Sequence, residues 1–122
     1  FIKIAPDLSP EEVNGIAESL IKSEMDGVIA TNTTLDREAV KGLEHANEAG
    51  GLSGEVLVNQ SQLITEQLHT ALNGKMPIIG VGGIHDVASA KARMAAGAEL
   101  IQVYSSFIYQ GPALIKQLVE GL

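Results

Sequence analysis

The sequence predicts an α/β protein made of four consecutive βα units. Short apolar runs begin near residues 1, 27, 77 and 100. Between them, apolar residues recur at helical spacing. Helical crossovers between short buried strands imply parallel pairing with right-handed connections. The chain has 122 residues, of which 45% are hydrophobic, enough for one compact unit and too apolar for a disordered chain.

Each element has a local signature. Residues 1–5 read as a strand stopped by Pro6. Ser9, Pro10 and Glu12 form a helix start, with Ser at the N-cap, Pro at the first helical position and Glu at the third. Val13, Ile16, Ala17, Leu20 and Ile21 then mark one apolar face, and the helix ends near 23–25. Residues 27–31 are a strand apolar on both faces, as in a buried parallel sheet. Residues 32–59 are polar and Gly-rich, with a weak helical hint at 38–43; a loop of this length is functional or mobile. A helix is expected over about 61–72, with Leu63, Ile64, Leu68, Ala71 and Leu72 on one side and Asn73-Gly74 as its stop. The strand at 77–81 runs into Gly82-Gly83, and Asp86 caps a helix to Ala96 that Gly97 terminates. The strand at 100–104 leads through a connector at 105–110 into a last helix opened by Gly111-Pro112, with Leu114, Ile115, Leu118 and Val119 facing inward. The unequal strand spacing, about 26, 50 and 23 residues, places an insertion in the second unit. A small open α/β sheet and half of a (β/α)8 barrel both fit, and in both ligands bind beyond the C-terminal strand ends.

Composition removes several function classes. Fifteen Asp+Glu against 8 scattered Lys+Arg give a net charge of -7, which argues against nucleic acid as a partner. The absence of Cys excludes a disulfide framework, a thiolate metal site and a Cys nucleophile. No apolar run approaches the roughly 20 residues of a membrane span. The chain opens on strand-like sequence without an initiator Met, which reads as a chain with no signal peptide, processed or excised from a longer one. No GxGxxG or P-loop is present. His45, His69 and His85 lack metal-like spacing; His69 reads as solvated, and His85 as a surface residue close enough to the Gly-Gly turn to touch a ligand. Asp26, Asp36 and Glu38 read as solvated charges, and no nucleophile–base–acid set is visible.

The strand ends carry the chemistry. Strand alternation puts Lys3 opposite Ile2 and Ile4, so it points into a barrel or at a ligand, or lies in solvent on an edge strand. A buried Lys there needs an anion or loses its proton. Thr31-Asn32-Thr33-Thr34 sets four side-chain hydrogen-bonding groups at a strand mouth, suited to a planar polar ligand or to a self-satisfied turn. The glycines of Gly50-Gly51-Leu52-Ser53-Gly54 permit close ligand approach or a flexible linker. Val81-Gly82-Gly83-Ile84 and Tyr104-Ser105-Ser106 end adjacent strands, like the phosphate grip that barrels build after strands 7 and 8.

In order, the chain contains Phe1-Ile2-Lys3-Ile4-Ala5-Pro6-Asp7-Leu8, Gly27-Val28-Ile29-Ala30-Thr31-Asn32-Thr33-Thr34, Gly50-Gly51-Leu52-Ser53-Gly54, Ile79-Gly80-Val81-Gly82-Gly83-Ile84 and Gln102-Val103-Tyr104-Ser105. This set resembles dihydroorotate dehydrogenase, and the Asn-Thr-Thr form of the second motif resembles the quinone-dependent class 2 enzymes. The resemblance spans essentially the whole chain. It implies a single unit over residues 1–122: the (βα)4 C-terminal half of a (β/α)8 TIM barrel, strands 5 to 8 with their helices. It also implies an FMN enzyme that oxidises dihydroorotate to orotate with quinone in de novo pyrimidine biosynthesis, peripherally bound at the cytoplasmic face of the inner membrane. On this resemblance Lys3 lies at the flavin ring, where a cation stabilises the negative charge of reduced flavin. Thr31 contacts FMN, and Asn32 and Thr33 hold orotate. Gly54, Gly83, Tyr104 and Ser105 line the FMN site, the last three near its phosphate.

The family's catalytic base, a Ser, has no match here, nor do its membrane- and quinone-contacting helices. The 122-residue chain is therefore expected to be inactive alone and to self-associate through its open strand edges. Glu55 departs from related sequences, which often carry a basic residue after the equivalent of Gly54. Alternative readings are a half-barrel module that binds phosphate or FMN without catalysis, and another phosphate-binding barrel enzyme.

Overall fold

In a computed structural model describing residues 1–122, four strands pair in parallel and in sequence order: β1 (Ile2–Ile4), β2 (Val28–Ala30), β3 (Ile78–Val81) and β4 (Leu100–Gln102). Helices α1 (Pro10–Lys22), α2 (Val58–Leu72) and α3 (Val87–Ala95) make the three crossovers, and α4 (Ser105–Gln110) and α5 (Pro112–Gly121) follow β4. The two edge strands, β1 and β4, each pair on one side only. No helix is long and apolar enough to cross a membrane.

Alternation along the strands divides the sheet into a packed face and an open face. Ile4, Val28, Ala30 and Ile78 enter a buried cluster with Val13, Ala17 and Leu20 of α1 and Ile64, Leu68 and Leu72 of α2. Each Val, Ile or Leu side chain among these contributes about 1.5–3 kcal/mol through burial. A smaller cluster joins Ile84, Ala90, Leu114 and Leu118, tying α3 to α5. On the other face the register aligns Lys3 with Ile29, Ile29 with Ile79, and Ile79 with Leu100. Nothing in the chain covers that row fully: Leu100 is 61% exposed.

The helix ends follow their local signals. Ser9 and Glu12 form a capping box at α1, with Glu12 N–H donating to Ser9 Oγ (3.2 Å) and Ser9 N–H to Glu12 Oε2 (2.8 Å). Asp86 caps α3 by accepting from the Ser89 N–H at 2.7 Å. Asn73 closes α2 in the left-handed conformation, φ 47°.

Several expectations need correction. The connector at 105–110 is a helix, α4: Ile108 N–H bonds the Tyr104 carbonyl, and Gly111, at φ 69°, breaks it from α5. Helix α2 begins at Val58, not 61, because the 3-10 turn Glu55–Leu57 packs Leu57 into the interior at 2% exposure and feeds directly into it. The helical hint at 38–43 is one 3-10 turn, Glu38–Val40. Strand β4 stops at Gln102, two residues early. Leu63, Ile115 and Val119 are exposed, at 53%, 41% and 74%. A 3.6-residue period marks a wider apolar stripe than the sheet covers, so residues at the stripe's margin stay outside.

Leu114 and Val119 share the predicted inward face but differ in burial. Leu114→Ala should destabilise by about 2–5 kcal/mol in urea unfolding, and Val119→Ala by no more than about 0.5 kcal/mol.

Candidate functional site

Parallel pairing brings all four C-terminal strand ends to one edge of the sheet, and a cavity of about 410 Å³ lies there. Lys3, Thr31, Asn32, Thr33, Gly54, Gly83, Tyr104 and Ser105 all line it, although they are spread over a hundred residues of sequence. Lys3 and Glu55 are the only Lys, Arg, Asp or Glu side chains in its wall, so the site is nearly balanced in charge within an acidic chain. No group of three or more His, Asp or Glu side chains gathers as a metal site.

Lys3 extends from the open face of β1 into this cavity and is exposed. The condition attached to a buried lysine therefore does not arise in this chain. The four polar residues after β2 divide by environment. Thr31 is 1% exposed, and its hydroxyl bonds Ser61 Oγ on α2 (2.6 Å) and the Asn32 carbonyl (2.9 Å). Thr34 is 3% exposed, and its hydroxyl donates to Asp7. Asn32 and Thr33 line the cavity with side-chain groups not tied to another element, while Thr31 lines it with its hydroxyl already engaged. Asn32 Oδ1 accepts from the Thr33 N–H at 2.9 Å, which fixes the side-chain amide and leaves its NH₂ free to donate. Both readings of the segment thus hold in part: the Thr31 and Thr34 hydroxyls fasten the loop, and Asn32 and Thr33 remain open to a ligand.

Asp7 is the anchor of that loop. Its carboxylate accepts from Thr34 Oγ1, from the Leu35 N–H (2.9 Å) and from Gln60 Nε2 (3.0 Å). Desolvation pushes its pKa up, but the hydrogen bonds from Thr34, Leu35 and Gln60, with the Arg37 charge, outweigh this and hold the carboxyl below the usual range. Arg37 staples the far side of the loop, donating to the carbonyls of Thr34 (3.2 Å) and Gly50. An isolated antiparallel bridge, Thr34 to Leu52, closes its base. Gly51 packs on Thr33, where a Cβ would lie 1.8 Å from Thr33 Oγ1. Gly51 is therefore a fitted position. Gly54, at φ 96°, has open space where a side chain would stand.

The opposite wall is tied together by hydroxyls. Ser53 and Ser105 bond each other at 3.0 Å across 52 residues of sequence, and Ser106 donates to the Ile84 carbonyl at 2.6 Å. His85, expected at the surface, is half-buried and lines the cavity. Its Nδ1 lies 2.7 Å from the Gly83 carbonyl, and Gln110 of α4 donates to its own carbonyl at 2.8 Å. His69 is exposed, as expected, with its ring over Gly97.

Sequence reasoning missed Arg93, which reads as one of eight scattered basic residues. It is 2% exposed, passing beneath β3 at Gly80, where a Cβ would lie 2.4 Å from Arg93 Cγ. Its Nη1 donates to the Val81 carbonyl (3.0 Å), and Nη2 to the Gly82 carbonyl (3.0 Å) and the Val58 carbonyl (3.4 Å). No carboxylate is among its partners, and burial lowers its pKa to about 10, so it remains a cation at neutral pH. A signal existed: Arg93 lies three residues after Ala90 on the same helical face, where a solvated residue is out of place. Gln102, Ser61 and Gln60 also join the site or its support without a sequence motif.

Comparison with known proteins gives one answer over the full length. The family model described as Dihydroorotate dehydrogenase matches residues 1–122. The dihydroorotate dehydrogenase (quinone) of Pseudoalteromonas atlantica is 60% identical over 122 residues, and that of Vibrio parahaemolyticus is 57% identical over 121. This chain spans only 36% of the length of each of these two curated relatives. The crystal structure of DHODH from Eimeria tenella in complex with ferulenol superposes with a TM-score of 0.92 at 39% identity, over 98% of this chain and 32% of that one.

Asp7 makes the loop's attachment sensitive to acid. Its folded pKa is below the unfolded value of 3.8, so its contribution to stability is complete above that value and is lost as pH falls through the folded pKa. Asp7→Asn should lower stability at pH 7 and flatten the decline below about pH 4, as followed by urea midpoints across pH.

Proposed function

The chain belongs to the dihydroorotate dehydrogenase family, and we propose that it is the C-terminal half-barrel, strands 5 to 8, of a quinone-dependent member that oxidises dihydroorotate to orotate. The single observation that carries the reading is the convergence of Lys3, Asn32, Thr33, Gly54, Gly83, Tyr104 and Ser105 on one cavity at the C-terminal edge of a parallel sheet.

The residues present fit FMN by their chemistry. Gly54 leaves open space for a flat ring to approach the backbone, and Lys3 sets a positive charge on the same wall system. Gly83, Tyr104 and Ser105 supply N–H and O–H donors where a phosphate would sit. Thr31 would support the ring from beneath, its hydroxyl already fixed by Ser61. FMN, when bound, accepts the hydride from dihydroorotate and passes electrons on to quinone. The chain's own part is to bind and orient. Asn32 and Thr33 present amide and hydroxyl groups to the polar edge of the pyrimidine ring.

No residue here is assigned as the base. The cavity's serines are engaged, Ser53 with Ser105 and Ser106 with the Ile84 carbonyl. The proton would pass to a serine on the other half of the barrel. Quinone contact and peripheral attachment to the cytoplasmic face of the inner membrane belong likewise to segments outside these 122 residues.

In the full-length enzyme, Lys3→Ala should lower turnover by about 10²-fold. Asn32→Ala should raise KM for dihydroorotate about tenfold or more and leave FMN content unchanged. Equal loss of FMN from both variants would contradict this division of roles. The 122-residue chain, assayed alone with a quinone analogue, should show no turnover. By light scattering it should self-associate through its open face and the edges of β1 and β4.

A further inference from the structure

We propose that Arg93, which does not line the cavity, is the positioning residue that aims the Gly83 N–H at the ligand's phosphate and, together with the Thr31 ladder bond, the Gly82 N–H beside it. The inference rests on the phosphate placement above and adds the device that creates it.

In a trans peptide the C=O and N–H of one unit point in opposite directions. Arg93 donates to the Gly82 carbonyl and to the Val81 carbonyl, each at 3.0 Å, from beneath the strand; the Val81 carbonyl is shared with the Thr31 N–H of the sheet ladder (2.9 Å), whereas the Gly82 carbonyl has Arg93 as its partner. The N–H groups of the same two peptide units belong to Gly82 and Gly83, so both face away from Arg93. Gly82 and Gly83 line the cavity, and neither N–H donates to a protein acceptor. Both glycines are half-buried at the cavity wall, so two adjacent N–H groups without a protein acceptor offer a nest for an anionic ligand.

The turn cannot choose another orientation easily. Gly82 and Gly83 sit at φ 106° and 74°, and a Cβ on Gly83 would lie 2.5 Å from the Val58 backbone nitrogen. Arg93 Nη2 also reaches the Val58 carbonyl, so one guanidinium gathers carbonyls from α2, β3 and the turn. Neutral side chains do not offer this fork of donors, and Lys offers only a point charge. The cation, which no carboxylate neutralises, lies one peptide unit from the proposed phosphate. It favours a dianion there at the same time as it orients the donors.

The test measures phosphate recognition apart from flavin-ring binding. FMN and riboflavin, which lacks the phosphate, are titrated by fluorescence into the flavin-stripped full-length enzyme and its Arg93→Met, Arg93→Lys and Gly80→Ala variants. Circular dichroism reports folding. Arg93→Met should weaken FMN by about 10- to 100-fold while riboflavin changes by less than about twofold. Arg93→Lys, which keeps charge and loses the fork, should show a smaller loss of the same selective kind. Gly80→Ala, which puts a Cβ where Arg93 Cγ passes, should reproduce the selective loss.

Equal weakening of both ligands in the folded variants would mean a structural role only and would overturn the proposal. So would an unchanged FMN preference in Arg93→Lys together with Gly80→Ala, which decide the matter if Arg93→Met does not fold. A wild type that binds FMN and riboflavin equally would overturn the phosphate placement itself, and that outcome is distinct from the others.

Discussion

Parallel pairing in sequence order is the constraint on which the molecule depends. It sends every strand's C-terminal end to one edge, so residues from four separate βα units meet without any long-range motif to bring them there. The edge is then fixed by polar ties added to the packing of Leu57, Val81 and Ile84 beneath it. Asp7 joins the end of β1 to the loop after β2, and Thr31 joins β2 to α2 through Ser61. Ser106 and Gln110 join α4 to the segment after β3. Two of these ties link adjacent strand mouths and one fastens a strand to its following helix, and together they hold a wall around a cavity that the sheet alone leaves shapeless.

The strands, α1 and α3 were legible because each has a strong local signature, a capping box or an apolar run, and the ordered strand-end motifs placed eight residues that line one cavity. What escaped was decided by tertiary contact. Helix α4 carries no hydrophobic period over its six residues, and only the Tyr104 and Gly111 hydrogen bonds define it. The start of α2 depends on Leu57 finding the interior. Thr31 and Thr34 look like ligand groups in sequence, yet their hydroxyls are consumed by Ser61 and Asp7, partners 30 and 27 residues away. His85 reads as a surface residue because spacing says nothing about the cavity that α4 folds over it.

Charge gives the same lesson at a different scale. A net charge of -7 describes the outer surface, where most acidic side chains are solvated. The cavity wall contains one carboxylate and one ammonium, and directly beneath it lies a guanidinium with no counter-ion. An acidic chain can therefore present a site suited to an anionic ligand, because the field at a site is set by the few nearest charges and a low local dielectric, not by the total.

The bare backbone at Gly80 gives Arg93 its passage, and this makes the two positions one unit of inheritance. A descendant that gains a side chain at position 80 must shorten or withdraw the one at 93 in the same lineage, and a shorter residue at 93 opens room for growth at 80. Across diverged members of the family, the two columns should drift together as a volume-conserving pair, even though they lie 13 residues apart on a strand and a helix.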